Sequence, residues 1–361
     1  MVSCRCNIYR CDIMEDNIWF IIYNDDVLYR ISLSDNVVYY EMGITKDEML
    51  HGVWNNLICI DSNTIAIISS NINKVYIYTI DDHAVKIINL CEYLNMNECA
   101  TTMASFLYND KLCIILTANE PLVMIDINTL DIELDYDFME NIRNKIIRDT
   151  QGKHIQVIGD FIYFISGGNS FIYKYDLFHR KGDVIDLEKD MDLGGNILID
   201  EDKIWFYQRG CFGIYRYNID NESIDYFENN LVSDSEIFTT KNLQLYQKLE
   251  KYKNYIWLVP MNTRSLYRFN IVDKKFELIT TFENNKCTFD NKKWFSVACC
   301  VYKEKLFIMP FEYDRVVVVN LESEAIFEMP IRDINMMDFR TEQIMRESAI
   351  MNLESLIKMF A

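Results

Sequence analysis

Short apolar runs separated by polar turns follow one another along most of the chain, and they predict β-strands. The run Ile18-Trp19-Phe20 is followed by Leu28-Tyr29-Arg30-Ile31 and then by a third apolar run. β-Branched and aromatic residues dominate these runs, which is typical of strands rather than helices. Alternation within the Tyr-Arg-Ile type of run predicts one side chain facing a neighbouring sheet and the next facing solvent.

The same unit of strands recurs seven times. Its leading strand begins its apolar part at Ile18, Ile65, Leu112, Phe161, Ile204, Ile256 and Leu306, at intervals of 43 to 52 residues. A period of about 40–50 residues built from such runs is the signature of four-stranded propeller blades. The sequence resembles the β-propeller superfamily, loosely the kelch-like bacterial propellers. The expected fold is an all-β, seven-bladed β-propeller of four-stranded antiparallel blades, with a C-terminal α-helix.

The repeat predicts one ring over residues 1–330 and a helical extension over residues 331–361. In the last unit the expected strands are 295–302, 305–311, 315–321 and 325–329. A small polar residue ends the third strand of each unit, and its side chain is expected to bond nearby backbone in the turn. These residues are Ser32, Thr79, Asp126, Asp176, Asn218, Asn270 and Asn320.

Charge and composition limit the kinds of partner that the protein is expected to bind and indicate its cellular location. The net charge of −19 argues against nucleic acid and against anionic membrane surfaces, because both require a basic footprint. No run approaches the roughly 18 apolar residues of a membrane span. Eleven cysteines without an apolar signal segment predict free thiols in a reducing cytosol, so the expected location is cytoplasmic.

The candidate chemistry of the chain is sparse. Cys4, Cys6 and Cys11 have no second pair that would complete a zinc site, and period-two spacing favours a core strand. Cys299 and Cys300 are neighbours in a predicted strand and should point to opposite faces. Neither a nucleophile motif nor a phosphate-binding loop is present. We therefore expect no metal, no cofactor and no catalytic residue.

Candidate ligand-binding residues lie where the loops between blades meet the turns between second and third strands, which share one rim in a propeller. Forked guanidinium groups and aromatic rings at that rim suit a carboxylate, phosphate or sugar. His83 and His179 are expected in turns on the far face. The candidates on the rim side are His51, Trp54, His154, Arg209, Arg264, Trp294 and Arg315. The alternative is that the tryptophans pack between blades and the arginines offset an acidic surface.

Residues outside the repeat predict helices. Segment 341–360 has an apolar face suited to a protein partner, to a second copy of the chain, or to the side of the ring itself. That face consists of Ala349, Ile350, Leu353, Leu356, Ile357 and Phe360. Two rim segments, 139–150 and 242–252, are expected to hold short helices.

The expected function is a non-catalytic binding or scaffold module that recognises a protein partner or polar ligand through its loop rim and C-terminal helix. Five residues of that helix are the candidates for partner binding or self-association: Ile350, Leu353, Leu356, Ile357 and Phe360. The alternative is an enzyme or sensor of a small glycan-like or anionic ligand bound in the central funnel. Nucleic acid and membrane are not expected as partners.

Overall fold

The computed structural model shows seven four-stranded antiparallel sheets arranged as the blades of a propeller. It describes residues 8–22, 27–35, 37–43, 54–69, 74–94, 102–116, 120–142, 155–165, 170–187, 191–232, 244–282, 296–310, 315–330 and 332–333. The four antiparallel strands of each blade follow chain order and come from one continuous stretch of sequence, and the sheet of the first blade has a fifth strand from near the end of the chain. The predicted fold class, all-β with seven four-stranded blades, is therefore confirmed.

The strands have the following bounds. Blades 1 to 4 comprise Ile8–Met14 (β1), Asn17–Ile22 (β2), Val27–Ser32 (β3), Val37–Gly43 (β4), Trp54–Asp61 (β5), Thr64–Ser69 (β6), Lys74–Thr79 (β7), Ala84–Asn89 (β8), Thr102–Tyr108 (β9), Lys111–Leu116 (β10), Leu122–Asp126 (β11), Ile132–Asp135 (β12), Ile155–Ile158 (β13), Phe161–Ile165 (β14), Phe171–Asp176 (β15) and Lys181–Asp186 (β16). Blades 5 to 7 comprise Leu193–Asp200 (β17), Lys203–Gln208 (β18), Ile214–Asn218 (β19), Ser223–Phe227 (β20), Tyr246–Tyr252 (β21), Tyr255–Pro260 (β22), Ser265–Asn270 (β23), Lys275–Thr281 (β24), Ser296–Tyr302 (β25), Lys305–Pro310 (β26), Arg315–Asn320 (β27) and Ile326–Pro330 (β28).

The first strands of the blades form the inner ring. Each first strand contacts the first strand of the blade before it and of the blade after it, and β1 closes the circle against β25. The hydrophobic core is divided among the seven junctions between neighbouring blades. At the junction of blades 7 and 1, for example, Ile18 and Phe20 pack with Phe307 and Val318. Burial of these faces stabilises the ring, because each blade alone would leave both faces of its sheet in water.

The turns on the far face repeat the same hydrogen bonds in every blade. The N–H of the apolar residue after the third strand donates to a carbonyl in the turn between the first and second strands, at 2.8–3.0 Å. The donors are Leu33, Ile80, Ile127, Leu177, Ile219, Ile271 and Leu321, and the acceptors are Asp16, Asn63, Asp110, Asp160, Asp202, Asn254 and Glu304. This face is scaffold shared by all blades.

The side chains that end the third strands bond the backbone of these turns, as predicted for most of the blades. The Oδ1 atom of Asn320 accepts from the N–H groups of Glu322 and Ser323 at 3.0 and 2.7 Å. Asp126, Asp176, Asn218 and Asn270 make equivalent bonds. Ser32 differs, because its hydroxyl bonds the hydroxyl of Ser34.

The ring closes without exchange of a strand between its first and last blades. After β28 the chain crosses directly to the outer edge of blade 1, where Arg332–Asp333 (β29) pairs in parallel with β4. Arg332 lies opposite Val37 and Asp333 opposite Val38. The described part of the C-terminal extension is therefore a fifth strand of blade 1 and spans the seam between the two ends of the propeller.

A cation in the third strand stacks on an aromatic residue of the second strand in four blades. In blade 6 the Cζ atom of Arg268 lies 4.0 Å from the ring centre of Tyr255 and 5.6 Å from that of Trp257. Arg30, Lys174 and Arg216 occupy the same position in blades 1, 4 and 5. Trp19, Trp205 and Trp257 are buried in the blades, so these tryptophans belong to the scaffold.

Polar side chains of the inner strands bond the strand edge of the next blade. An Asp12 carboxylate oxygen accepts from the Cys59 N–H at 2.8 Å, and the Asn196 Oδ1 atom accepts from the Leu249 N–H at 2.9 Å. These bonds use backbone donors that the four-stranded sheets leave unpaired at their inner edge. Burial raises the pKa of the Asp12 carboxyl above its ordinary value, although two backbone N–H bonds and the charge of Lys248 act against the rise.

Asp12→Asn is expected to change how stability depends on pH. A carboxyl whose folded pKa is raised makes the folded state bind more protons, so wild-type stability falls as pH rises from about 3.9 through the raised value. The asparagine variant lacks this fall. We expect its free energy of unfolding, relative to wild type, to improve steadily over that window in urea titrations.

Asp126→Asn provides a control with the opposite sign. Backbone hydrogen bonds from Thr129 and Asn128 lower the pKa of the Asp126 carboxyl, so the contribution of this carboxylate to stability grows as pH rises. The free energy of unfolding of Asp126→Asn should therefore fall relative to wild type as pH rises. Asparagine already occupies the same position in blades 5, 6 and 7, so the turn itself is retained. A constant difference between Asp12→Asn and wild type at every pH would contradict the assignment.

The helices differ in part from those expected. A short α-helix, Asp137–Ile142 (α1), begins just before the expected segment 139–150, whose remainder lies outside the described residues. Segment 242–252 was wrongly predicted as a helix, because Tyr246–Tyr252 is the inner strand of blade 6. Its Gln, Lys, Leu and Glu residues favour helix locally, and packing between two neighbouring inner strands overrides that preference. The predicted helix over 341–360 lies outside the described residues.

Other sequence predictions concern single strands and thiols. The four strands expected in the last blade are confirmed to within about one residue at each end. Cys299 and Cys300 point to opposite faces, because Cys300 packs at the junction of blades 7 and 1 and Cys299 at that of blades 6 and 7.

In the described ranges, no helix has the length and apolar character needed to traverse a bilayer.

Candidate functional site

Three of the predicted ligand-binding arginines lie on one rim, in consecutive blades. Arg209 follows β18, Arg264 immediately precedes β23, and Arg315 begins β27. The turn of blade 5 is tied to the start of its inner strand, because the Arg209 N–H donates to the Asp192 carbonyl at 2.7 Å. The fold thus places these cations on the side where the inner strands of blades 5 to 7 begin.

Arg315 has an acidic partner within its own blade. Its Nη1 atom lies 2.9 Å from a carboxylate oxygen of Glu328, which belongs to the outer strand. This ion pair holds the charge of Arg315 toward the outside of blade 7. Arg264 is half-buried, and its carbonyl accepts from the Phe282 N–H at 3.0 Å.

Arg209 is held differently. Its Nε atom lies 3.8 Å from the Oδ1 atom of Asp192, which is an ion-pair distance but too long for a hydrogen bond. That Nε atom is buried and has no hydrogen-bond partner in the part of the chain that the structure describes. Asp192 immediately precedes the inner strand of blade 5, so the pair lies toward the mouth of the central channel rather than at the outer edge.

A hydrogen-bond network beside this pair joins blades 5 and 6, and the charge of Arg209 acts on its member Tyr207. The Gln244 side-chain amide donates to the Tyr207 hydroxyl at 2.8 Å, and the Tyr207 hydroxyl donates to the Tyr246 carbonyl at 2.6 Å. Asn262 donates through its side-chain amide to the Gln244 carbonyl at 2.6 Å. We call the group Asp192, Tyr207, Arg209, Gln244 and Asn262 the 5/6 rim sector.

The Tyr207 hydroxyl is a structural donor and acceptor in this sector. Burial raises its pKa above the ordinary value, and bonding to Gln244 and the charge of Arg209 only partly offset that rise. A β-carbon built on Gly194 would lie 1.9 Å from the Tyr207 ring, so glycine is needed at the start of β17 for the ring to lie there. The hydroxyl is therefore neutral near neutral pH, and its hydrogen bond with Gln244 orients that side chain.

Three side chains at the junction of blades 5 and 6 carry a buried polar atom without a hydrogen-bond partner among the described residues. These atoms are Arg209 Nε, Asn262 Oδ1 and Asn196 Nδ2. Buried polar atoms are rarely left unpaired in a folded protein, because each one costs about 1–3 kcal/mol. This junction therefore carries a desolvation cost that no hydrogen bond among the described residues offsets.

The remaining predicted ligand-binding residues lie wholly or partly outside the part of the chain that the structure describes. Trp54 begins β5, and its side chain is not described. His51, His154 and Trp294 lie outside the described residues, so their roles stay predictions. His83 and His179 lie in exposed far-face turns, as expected, where His83 bonds Tyr78 and His179 bonds Asp176.

The positions of the cysteines, histidines and carboxylates in the rest of the described ranges bear on metal binding and thiol reactivity. No cluster of three histidine, cysteine or acidic side chains there is placed to hold a metal ion. Burial raises the pKa of Cys113 and of Cys299 to about 12, so both are protonated near neutral pH. Thiols in such surroundings are poor nucleophiles.

Sequence reasoning placed Arg209 on the rim but missed the residues that surround it. Asp192 immediately precedes the inner strand of blade 5, and Gln244 precedes that of blade 6. Tyr207 lies near the end of β18, the second strand of blade 5. The available signal was the glycine pair Gly194-Gly195 at the start of β17, which interrupts the apolar pattern of the other inner strands. It indicates close approach by another group.

The fold and rim together define a seven-bladed β-propeller with a polar, partly unsatisfied sector between two of its blades. Its structure is similar to virginiamycin B lyase from Staphylococcus aureus, with a TM-score of 0.60 and 11% identity over 86% of this chain and 94% of that one. It is also similar to Kluyveromyces lactis Hsv2, with a TM-score of 0.54 and 10% identity over 91% and 98% of the two chains. A computationally designed protein, Ika8, gives a TM-score of 0.56 at 7% identity over 91% and 87%.

These likenesses show the fold alone, since the identities are so low that function does not follow from them. No protein-family model matches the sequence, and no curated protein matches it at a significant level. The function therefore has to be argued from the site.

Proposed function

We propose that this chain is a non-catalytic binding module that recognises a protein partner or a polar ligand through its loop rim. The observation that carries the proposal is Arg209, a rim cation whose only acidic neighbour in the described part of the chain, Asp192, lies beyond hydrogen-bond distance. A guanidinium group offers five donors in a fixed fork, which suits recognition of a planar acceptor.

Contrast with the far face supports the rim as the recognition surface. Turns on the far face repeat the same backbone bonds from blade to blade, and their asparagine and aspartate side chains are engaged in them. The rim varies from blade to blade, and its sector between blades 5 and 6 has unpaired polar atoms. Polar groups kept without partners at a cost in stability are typical of functional sites.

Two variants with equal changes of charge test the rim. Rim variant Arg209→Gln/Arg264→Gln/Arg315→Gln and far-face variant Lys181→Gln/Lys274→Gln/Lys275→Gln each remove three positive charges. Wild type is screened by thermal shift against small carboxylates, phosphates, amino acids and sugars. We expect at least one compound to stabilise wild type and the far-face variant, and to have no effect on the rim variant. Equal responses from both variants, or no response from wild type, would contradict recognition of a small ligand at the rim.

The C-terminal segment is the proposed second surface. Its candidate residues, Ile350, Leu353, Leu356, Ile357 and Phe360, lie outside the described residues, and we propose that they form a helical face for a partner or a second copy. Support comes from their apolar spacing in the sequence. Sedimentation of wild type and of Leu353→Asp/Leu356→Asp over a concentration series tests self-association. A wild-type chain that stays monomeric at every concentration would exclude the second copy as the occupant.

The alternative proposal is an enzyme or sensor acting on a ligand in the central funnel. Its support is the position of the Arg209–Asp192 pair toward the mouth of the channel. Mass spectrometry of a stabilising compound after prolonged incubation distinguishes it, because an enzyme would convert the compound and a binding module would return it unchanged. A cytosolic location is part of the main proposal, supported by the free thiol state of every cysteine in the described ranges.

A further inference from the structure

We propose that the 5/6 rim sector binds a small zwitterion of the amino-acid type, with the ligand carboxylate on Arg209 and the ligand ammonium group on Asp192. The inference rests on the proposed function, since it names the chemical class that the rim would take. It depends on three features of the sector: a cation with unused donors, a carboxylate at a set distance from it, and the charge of the whole protein.

Arg209 is fixed at its base and unsatisfied at its end. Its N–H donates to the Asp192 carbonyl at 2.7 Å, which orients the start of the side chain toward the inner strand. The guanidinium group makes no hydrogen bond to any described residue, yet 26% of the side chain remains exposed. The exposed end can therefore receive an acceptor without displacing an existing bond. A carboxylate is the planar acceptor whose two oxygens match the guanidinium fork.

Asp192 supplies the second half of the recognition. Its carboxylate oxygen lies 3.8 Å from Arg209 Nε, and 37% of the side chain is exposed. A carboxylate accepts up to about four hydrogen bonds, so it can take a ligand donor in addition to the contacts it already has. A guanidinium donor and a carboxylate acceptor this close together match a ligand whose ammonium and carboxylate groups are attached to one carbon atom, as in an α-amino carboxylate.

Charge favours a zwitterion over a simple anion. The protein carries a net charge of −19, and the nearest group to Arg209 is itself a carboxylate, so a phosphate or a dicarboxylate would be repelled on approach and at the site. A neutral sugar would leave the guanidinium charge without a counterpart. A zwitterion presents no net charge to the protein field and still gives each member of the Arg209–Asp192 pair an opposite partner.

The rim arginine of blade 7 has a closer acidic partner than Arg209 has. Arg315 contacts the Glu328 carboxylate at 2.9 Å, which is within hydrogen-bond distance. Its ion pair is within hydrogen-bond distance, whereas the ion pair of Arg209 is not. Lys275→Gln on the far face removes a positive charge without altering the rim, so it is the matched control.

Free amino acids and their blocked forms are the probes that test the inference. Wild type is titrated by thermal shift and calorimetry with each of the common amino acids at millimolar concentration. Every amino acid that binds is then compared with its N-acetyl derivative and its amide. We expect at least one free amino acid to bind and both blocked forms to bind tenfold more weakly or worse, because each leaves one charged group unpaired.

Variants assign the two contacts. Arg209→Gln and Asp192→Asn should each weaken binding tenfold or more, while Lys275→Gln should leave it unchanged. The inference is overturned if no amino acid binds, if a blocked form binds as well as its parent, or if either sector variant binds normally. In those cases the proposed function still stands where another polar probe stabilises wild type and loses its effect in the triple rim variant. The proposed function fails together with the inference if no probe stabilises wild type more than it stabilises the triple rim variant.

Discussion

Gly213→Ala is expected to lower the free energy of unfolding by about 3 kcal/mol, because the added methyl group has no space. A β-carbon built on Gly213 would lie 2.0 Å from the Phe227 carbonyl oxygen and 2.8 Å from the Tyr226 ring. Phe227 is paired with Ile214 in the sheet of blade 5, so its backbone cannot move without breaking the register. Urea unfolding of the two proteins at equal concentration measures the difference.

Gly159→Ala is the matched control for this prediction. Gly159 has a φ of +55° and nothing within 4 Å of an added β-carbon. The corresponding turns of other blades hold Glu15, Glu201 and Lys253 at φ values of 53–56°, so a side chain is accepted there. We expect a loss of about 1 kcal/mol or less. Equal losses at Gly213 and Gly159 would show that the close contact in blade 5 is not as described.

Arg268→Met is expected to be the most damaging change of a charged residue, with a loss of about 2–3 kcal/mol. Arg268 is only 8% exposed and joins two blades, because it contacts Glu277 of blade 6 and Glu324 of blade 7. Removing it leaves these two carboxylates facing each other and removes the stacking on Tyr255. Loss of one partner from a buried ion pair typically costs about 3–5 kcal/mol, and the half-exposed state of both glutamates reduces that figure.

Arg216→Met isolates the part of this effect that crosses between blades. Arg216 occupies the same position in blade 5 and stacks on Trp205, and its ion-pair partner in the described residues is Asp225 of its own blade. We expect a loss of about 1 kcal/mol. If the two arginine variants were equally destabilised, the contact between Arg268 and Glu324 would contribute nothing to the junction of blades 6 and 7.

The fold was largely predictable from the sequence because the repeat is expressed in local features. Strand alternation, the turn residues Asp126 and Asn320, and the blade period each depend on neighbours close in sequence. The inner strand Tyr246–Tyr252 was mistaken for a helix because its residues favour helix locally and only contact with two other inner strands decides the matter. The strand Arg332–Asp333 could not be foreseen, since two residues carry no periodicity.

The candidate site was predictable only in part, for a physical reason. Position in the blade placed Arg209, Arg264 and Arg315 on one rim, but the local sequence does not say which of them has a partner. That depends on Asp192 and Glu328, which approach from other strands. The cross-blade bond from Gln244 to Tyr207 depends on the loop that joins blades 5 and 6, so no spacing rule identifies it.

The proposed site makes Arg209 a residue for recognition and not for stability, and the free energy of unfolding of Arg209→Met tests this most directly. The buried Nε atom has no hydrogen bond within the described ranges, and the ion pair to Asp192 is long and partly exposed, so it contributes little. Methionine retains most of the apolar stem and removes a donor that is costly to bury. We predict a stability equal to wild type within about 0.5 kcal/mol, or higher. A loss of about 2 kcal/mol or more, as expected for Arg268→Met, would instead make Arg209 part of the scaffold and contradict the proposed site.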